Sequence, residues 1–293
     1  MGTLTQQKIQ DYYDEFKNIP VTFNKEIIQV TGLQVKQIIL KCGSDFYPCF
    51  LYSTTFEEAK IIASDRSGVI KKLKEANNLA SLKFTFKIPE SGEQVVFLVT
   101  AHATGCAPYD NSNDTFMITL KFSQRPPDDL IGIVGRILEA NVNSSKRKDE
   151  RIVINPETLR KLYFATKDVG IMIEGVPRRC ILRDISFGGA HLITMGISKF
   201  LIEKRASIKF DFIDPTETYS INGKFIAVES VLDRNDLVVV DMAYDEPVPM
   251  TYKVRLNNYL STVRTIPAAV PAAPAVKTEP PNSTADEVSG GQK

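Results

Sequence analysis

No tryptophan occurs among the 293 residues, and there are only two histidines, His102 and His191. Neither histidine has a Cys or Ser partner at a recognisable motif spacing, which leaves His-assisted nucleophilic catalysis without a framework. The stretch "GIVGR" lacks the third glycine of a dinucleotide loop, and no Walker lysine motif is present, so the chain is read as not an enzyme. The four cysteines, Cys42, Cys49, Cys106 and Cys180, are scattered without metal-type spacing. They read as reduced, mostly structural thiols of a cytoplasmic protein. No apolar run approaches the roughly 18–20 residues that span a bilayer, and the N-terminus lacks the charged-then-apolar pattern of a signal peptide. It begins Met-Gly, but Gln6 stands where a myristoylation motif wants Ser or Thr. A net charge of +1 argues against a wholesale nucleic-acid polymer binder and leaves room for a local basic cluster.

What is present is enough to bury a large core: 43% of the residues are hydrophobic. Single cores stop growing near about 250–300 residues, so two domains are expected. "LTQQKIQDYYDEFK" predicts an amphipathic helix through Ile9, Tyr12, Tyr13 and Phe16. Strand-like runs follow near 21–30, 35–42 and 46–53, then a helix within 67–78. In "SLKFTFKI" the period becomes two: Leu82, Phe84, Phe86 and Ile88 face one way, Ser81, Lys83, Thr85 and Lys87 the other. Residues 94–104 and 115–122 continue the strand pattern, and Leu130, Val134, Ile137 and Leu138 form the apolar face of a helix. The polar, charged stretch 141–151 is taken as an interdomain linker. Six strand-like runs follow, near 169–174, 178–186, 190–194, 205–212, 218–229 and 236–244. A last helix at about 249–264 should bury Leu256, Tyr259, Leu260 and Val263. The fold class expected is mainly β with flanking helices: two small antiparallel barrels, each closed by a helix. The halves look related in style, with no clear residue-level repeat. The Pro- and Ala-rich stretch 265–293 cannot build a core and is expected to be disordered.

Within "VPRRCILRDISFGGAHLI" (176–193) β structure is interrupted by Ser186, Phe187, Gly188 and Gly189. Adjacent glycines cost roughly 0.5–1 kcal/mol each against Ala in a regular element, so something must offset them. One reading is a tight turn or bulge whose backbone amides are satisfied by Ser186 and Asp184. The other is that Gly188 and Gly189 let a ligand approach the backbone, with Asp184 and Ser186 on one side of the strand. A carboxylate there can accept from the two adjacent N–H donors of a guanine edge.

Asp184-Ile-Ser186-Phe-Gly-Gly189 resembles the Asp/Asn-x-Ser-x-x-Gly motif of PilZ domains, small six-stranded barrels that bind cyclic di-guanylate (c-di-GMP). The family's companion motif, Arg-x-x-x-Arg on a flexible segment before the first barrel strand, is matched by "RKDER", Arg147 and Arg151. The second such spacing, Arg179 with Arg183, lies within a strand and cannot swing over a ligand. The resemblance covers about 141–264. It implies a second-messenger receptor whose ligand site comprises Arg147, Arg151, Asp184, Ser186, Gly188 and Gly189, with no other cofactor and no metal. It implies boundaries at 1–140 for a divergent PilZ-like barrel of the flagellar-brake type, 141–151 for the linker and 152–264 for the PilZ barrel. Ligand would order the linker and fix one barrel relative to the other, regulating motility or related behaviour. The first barrel, lacking both motifs, would contact a protein partner, possible effectors including a flagellar motor.

Two rivals stand beside this reading. A nucleic-acid-binding barrel would present Phe84 and Phe86 among Lys83 and Lys87, but these fall on opposite faces, which favours aromatics in the core. A degenerate PilZ adaptor would bind protein only; the intact motif residues argue against it for the second barrel. His191, just after the glycines, is read as a surface or cross-strand residue that could line the site.

Overall fold

The computed structural model describes residues 4–88, 92–110, 112–231 and 234–265. Two separate cores form, one from residues of 9–138 and one from residues of 152–260.

The first half opens with α1 (Gln6–Phe16), β1 (Val21–Thr22) and α2 (Lys25–Thr31). It continues with β2 (Ile39–Cys42), β3 (Asp45–Thr54), β4 (Glu58–Ser64), α3 (Val69–Glu75), β5 (Leu79–Lys87), β6 (Gln94–Pro108), β7 (Thr115–Phe122) and α4 (Asp128–Lys146). The second half runs β8 (Ile152–Val153), α5 (Pro156–Leu162), β9 (Asp168–Ile173), β10 (Val176–Ile185), β11 (Gly189–Met195) and α6 (Ser198–Leu201). It ends with β12 (Arg205–Ile213), β13 (Thr216–Val231), β14 (Arg234–Tyr244) and α7 (Met250–Thr265).

Each half is a closed antiparallel barrel of six strands. The first closes in the order β3-β2-β5-β6-β7-β4, with β3 pairing back to β4 and β1 attached to β3. The second closes as β10-β9-β12-β13-β14-β11, with β11 pairing back to β10 and β8 attached to β10. The two connectivities are the same element for element. Closure leaves no open sheet edge within either ring.

The alternation read from the sequence fills both interiors. Leu82, Phe84 and Phe86 are fully buried, as are Ile208 and Phe210, with Ala206 and Phe212 nearly so. Burial takes Phe84 and Phe86 out of reach of a nucleic-acid strand. Thr85 departs from the pattern: it is buried although it alternates with the core residues, and its carbonyl accepts from the Gln34 amide.

Four further expectations are corrected. Residues 21–30 are strand only at Val21–Thr22; the Asn24 side chain accepts from the Ile27 amide and caps α2 instead. Glu58–Ser64, where no strand is expected, forms β4. Residues 141–146 of the supposed linker are the last turns of α4. On α7, Leu256 and Leu260 are buried, but Tyr259 is half-buried, Val263 is 41% exposed, and Tyr252, not among the expected residues, is fully buried beside Leu256. The expectation for the tail at 266–293 lies outside the described residues. No helix among the described residues is long and apolar enough to cross a membrane.

Against the expectation of no clear residue-level repeat, the first strands of the two halves match position by position. Val21 pairs with Thr54 and Ile152 with Ile185, so equivalent positions lie 131 residues apart through β4 and β11. At that spacing "CFLYSTTFEEAKIIA" (49–63) overlies "CILRDISFGGAHLIT" (180–194). Both segments carry a bulge at the same place, after Leu51 and after Leu182. Asn155 caps α5 through the Thr158 amide as Asn24 caps α2.

Candidate functional site: the turn between β10 and β11

The bulge at Arg183 makes two successive residues, Arg183 and Asp184, face away from the core. Asp184 lies opposite His191 on β11, and His191 lies opposite Asp241 on β14. Three polar side chains thus form a row across three adjacent strands. Arg151, immediately before β8, closes over it. Its guanidinium fork donates to Asp184 Oδ1 at 3.0 Å and to Asp241 Oδ1 at 2.9 Å. His191 Nδ1 is 2.9 Å from Asp184 Oδ2, and His191 Nε2 is 3.3 Å from Asp241 Oδ1. Burial works against the Arg151 charge, but the hydrogen bonds and charges of Asp241 and Asp184 outweigh it and raise its pKa. The Arg151 side chain keeps 32% exposure, enough for a ligand to reach it.

The turn itself is held from within. Ser186 is 1% exposed, and its Oγ accepts from the amides of Gly189 (3.1 Å) and Gly188 (3.3 Å). Its carbonyl accepts from the Tyr252 hydroxyl of α7 at 2.8 Å. Burial pushes the Tyr252 phenol well above its usual range, so it stays a proton donor. Thr55, the equivalent of Ser186, accepts from the amides of Glu57 and Glu58 at 3.0 Å each. A hydroxyl at this position therefore belongs to the barrel's turn, whether or not the motif is present. The expected alignment of Ser186 with Asp184 on one open side is corrected: Asp184 faces out and Ser186 faces in.

The glycines have different reasons. A Cβ on Gly189 would collide with the Met242 carbonyl oxygen of β14. The close approach there is made by a neighbouring strand, not by open space for a ligand. A Cβ on Gly188 would meet only the aliphatic stem of Lys148. The Gly188 amide also donates to the Lys148 carbonyl at 2.9 Å.

That last bond joins the two motifs. Arg147 is the C-cap of α4, its amide bonded to the Asn143 carbonyl at 2.8 Å, and its side chain has no partner among the described residues. The five residues 147–151 are pinned at Lys148 and at Arg151, so the freely swinging linker expected from composition is corrected to a helix end plus a short tethered loop. Of the six candidate residues, Arg151, Asp184 and Gly188 converge. Gly189 and Ser186 hold the turn beneath them, and Arg147 stands unpaired at the helix end. His191, Lys148, Asp241 and Tyr252 were not among the candidates. Of these, His191 had been marked by its place after the glycines as a cross-strand residue that could line the site, and Asp241 carried a usable signal: in "LVVVDMAY" the buried Val238, Val240 and Met242 place it outward.

A PilZN3 domain model matches residues 7–141. A curated relative from Treponema denticola, named "Cyclic di-GMP binding protein", is 39% identical over 266 residues, covering 90% of this chain and 85% of its own length. The chain belongs to the PilZ family. Among solved structures, this PilZ protein is similar to Borreliella burgdorferi PlzA in complex with c-di-GMP: 23% identity, TM-score 0.40, covering 87% of this chain and 99% of that one. It is also similar to YcgR in complex with c-di-GMP from Escherichia coli: 13% identity, TM-score 0.28, covering 82% and 88%.

Proposed function

We propose that this PilZ protein is a cytoplasmic c-di-GMP receptor whose ligand lies between the Arg147–Arg151 segment and the outer face of the second barrel. The observation that supports it most is that Arg151 of one motif is hydrogen-bonded to Asp184 of the other, while Lys148 and Gly188 tie their backbones together. The name of the Treponema relative points the same way.

The exchange of partners on binding follows from charge. Without ligand, Asp184 and Asp241 share one guanidinium. A guanine edge offers two adjacent N–H donors that satisfy the Asp184 carboxylate, releasing the Arg151 fork to a phosphate or to guanine O6/N7. Arg147, unpaired among the described residues and four residues before Arg151, supplies a second planar cation that can stack on a base. The Lys148 stem lies where Gly188 leaves room and moves aside. Ser186 and Gly189 shape the turn without touching the dinucleotide.

The first barrel is the internal contrast. At the repeat spacing, Phe16 stands for Arg147, Pro20 for Arg151, Ser53 for Asp184, and Glu57 with Glu58 for the glycine pair. Two carboxylates in place of open backbone repel a dianion, so this barrel is read as the one that faces a protein partner, in motility control or a related output. The signal reaches it through α7. Tyr252 grips the Ser186 carbonyl, and Asn257, further along the same helix, bonds Asn143 (2.6 Å) and Glu139 (2.9 Å) of α4.

Equilibrium dialysis of the full chain with labelled c-di-GMP tests the reading. Saturable binding displaced by excess cyclic, but not linear, guanine dinucleotide is expected. Equal displacement by the linear form would sink it.

A further inference from the structure

The outward face of β3 is unusual for a surface strand: Phe46 is 63% exposed, Phe50 64% and Tyr52 39%, with Pro48 between them. Across β2 and β5 the face continues to Val96 (53%) and Leu98 (58%) on β6. Ile39, Lys41, Phe46, Lys83, Val96 and Leu98 line an open cleft of about 320 Å³. Monomeric surfaces rarely keep large apolar residues contiguous without a use.

The second barrel supplies the control, because its strands have the same register. Ile39 pairs with Pro48 and Lys83, as Gly170 pairs with Arg179 and Lys209. Lys83 then pairs with Leu98, as Lys209 pairs with Ser220. Where the first barrel has Ile39, Phe46, Pro48, Tyr52 and Leu98, the second has Gly170, Pro177, Arg179, Arg183 and Ser220. The barrel closes equally well with a more polar face, which keeps Met172 (42% exposed, in the place of Lys41) and Ile181 (40% exposed, in the place of Phe50) but not the aromatic rings. The apolar one is therefore not demanded by the fold.

Charge says what fits. Lys41 and Lys83 flank the cleft, Lys41 with its ammonium 5.7 Å from the Phe46 ring, and neither has a carboxylate partner among the described residues. No Asp or Glu lines the cleft. Asp45, next to Phe46, is taken by Lys72 at 3.2 Å. Because the barrel is closed, an occupant cannot add a strand and must bind through side chains; a helix does this with an apolar stripe. We infer that this face docks an amphipathic helix of a partner protein whose apolar stripe is flanked by Asp or Glu. The inference rests on the first barrel being the partner-facing one and is independent of dinucleotide binding.

The test uses the full chain and a fluorescein-labelled helical peptide of about 18 residues, five turns, with Leu and Phe at i, i+3, i+4 and i+7 and Glu on both flanks. Its controls are the same peptide with Lys for Glu and a labelled oligothymidine. The acidic peptide should bind saturably, and Lys41→Glu/Lys83→Glu and Leu98→Ser should each weaken it by about 10-fold or more. The charge-reversed variant should instead take up the Lys peptide. Each variant should bind c-di-GMP as the parent does, which reports any failure of the nucleotide reading separately. Failure of the acidic peptide to bind, equal binding of the two peptides, or saturable oligothymidine binding lost in the same variants would overturn the inference. Weakening by Phe200→Asp on the second barrel, with the first-barrel variants unaffected, would overturn the partner-facing assignment as well.

Discussion

Gly188 and Gly189 are neighbours with separate duties, and substitution separates them. Gly189→Ala drives a methyl into the Met242 carbonyl of β14 and should cost about 1–3 kcal/mol, the usual range for overpacking, read as a lower Tm. Gly188→Ala meets only the movable Lys148 stem. It should leave the Tm close to the parent's while weakening c-di-GMP binding, a pairing that calorimetry and thermal melts on one sample can check. Equal loss of stability in both would contradict this division. Ser186→Ala removes a buried acceptor of two amides, one of which keeps the Lys148 carbonyl. About 1 kcal/mol of stability should go, with little change in affinity. The motif residues were legible in the sequence because their types are rare in strands. That Ser186 faces inward was not, since the hydroxyl's partners are set by a turn of three residues. Nor was the Asp184–His191–Asp241 row, which exists only once β10, β11 and β14 are in register.

At the scale of elements, the strands with clean alternation, such as β5 and β12, were legible directly. The failures were local. Asn24 turns an apolar-rich stretch into a helix by capping it, which outweighs the β propensity of its neighbours, and Asn155 starts α5 in the same way where no element was expected. The end of α4 looked like a linker because its last turns, 141–146, carry a single apolar side chain, Val142, and bury Ser144 in place of a hydrophobe. The duplication shows how much turn chemistry the fold shares: Gly32 and Tyr163 are equivalent helix C-caps, with φ of 70° and 59°. A side chain is accommodated at Tyr163, but a Cβ at Gly32 would run into the Lys87 carbonyl. Gly32→Ala should therefore lower stability by a few kcal/mol, the left-handed backbone alone accounting for about 1–2 of them, in a chemical denaturation series. A neutral result would mean that the β5 end yields.

For the whole molecule, the halves meet where the Met250 amide of α7 donates to Glu26 of α2 and at a polar knot on α4. Glu139 accepts from Lys8 and Tyr12 of α1 and from Asn257 of α7. Burial alone would raise the Glu139 pKa; Lys8, Asn257 and Tyr12 outweigh it and hold it below the ordinary 4.5. A lowered carboxyl stabilises the folded form above that ordinary value and loses the contribution as the pH falls through its folded value. The junction should loosen as the pH drops below about 4.5, seen as expansion in small-angle scattering, and Glu139→Gln should flatten that dependence. Asn257→Ala should keep c-di-GMP affinity near the parent's but blunt the scattering change that ligand produces, because Tyr252 then pulls on a helix no longer tied to α4. An undiminished change would show that α7 does not carry the coupling.

The central claim is that the two motifs build one site on the second barrel. Its most direct test is a calorimetric titration of the full chain with c-di-GMP beside the Arg147→Ala/Arg151→Ala variant, its fold verified by circular dichroism. Charge-assisted hydrogen bonds net roughly 1.5–3 kcal/mol each, so the account predicts tight binding to the parent and a loss of at least about 100-fold in the variant. Parent-like binding by a folded variant would contradict it and place the dinucleotide elsewhere on the molecule.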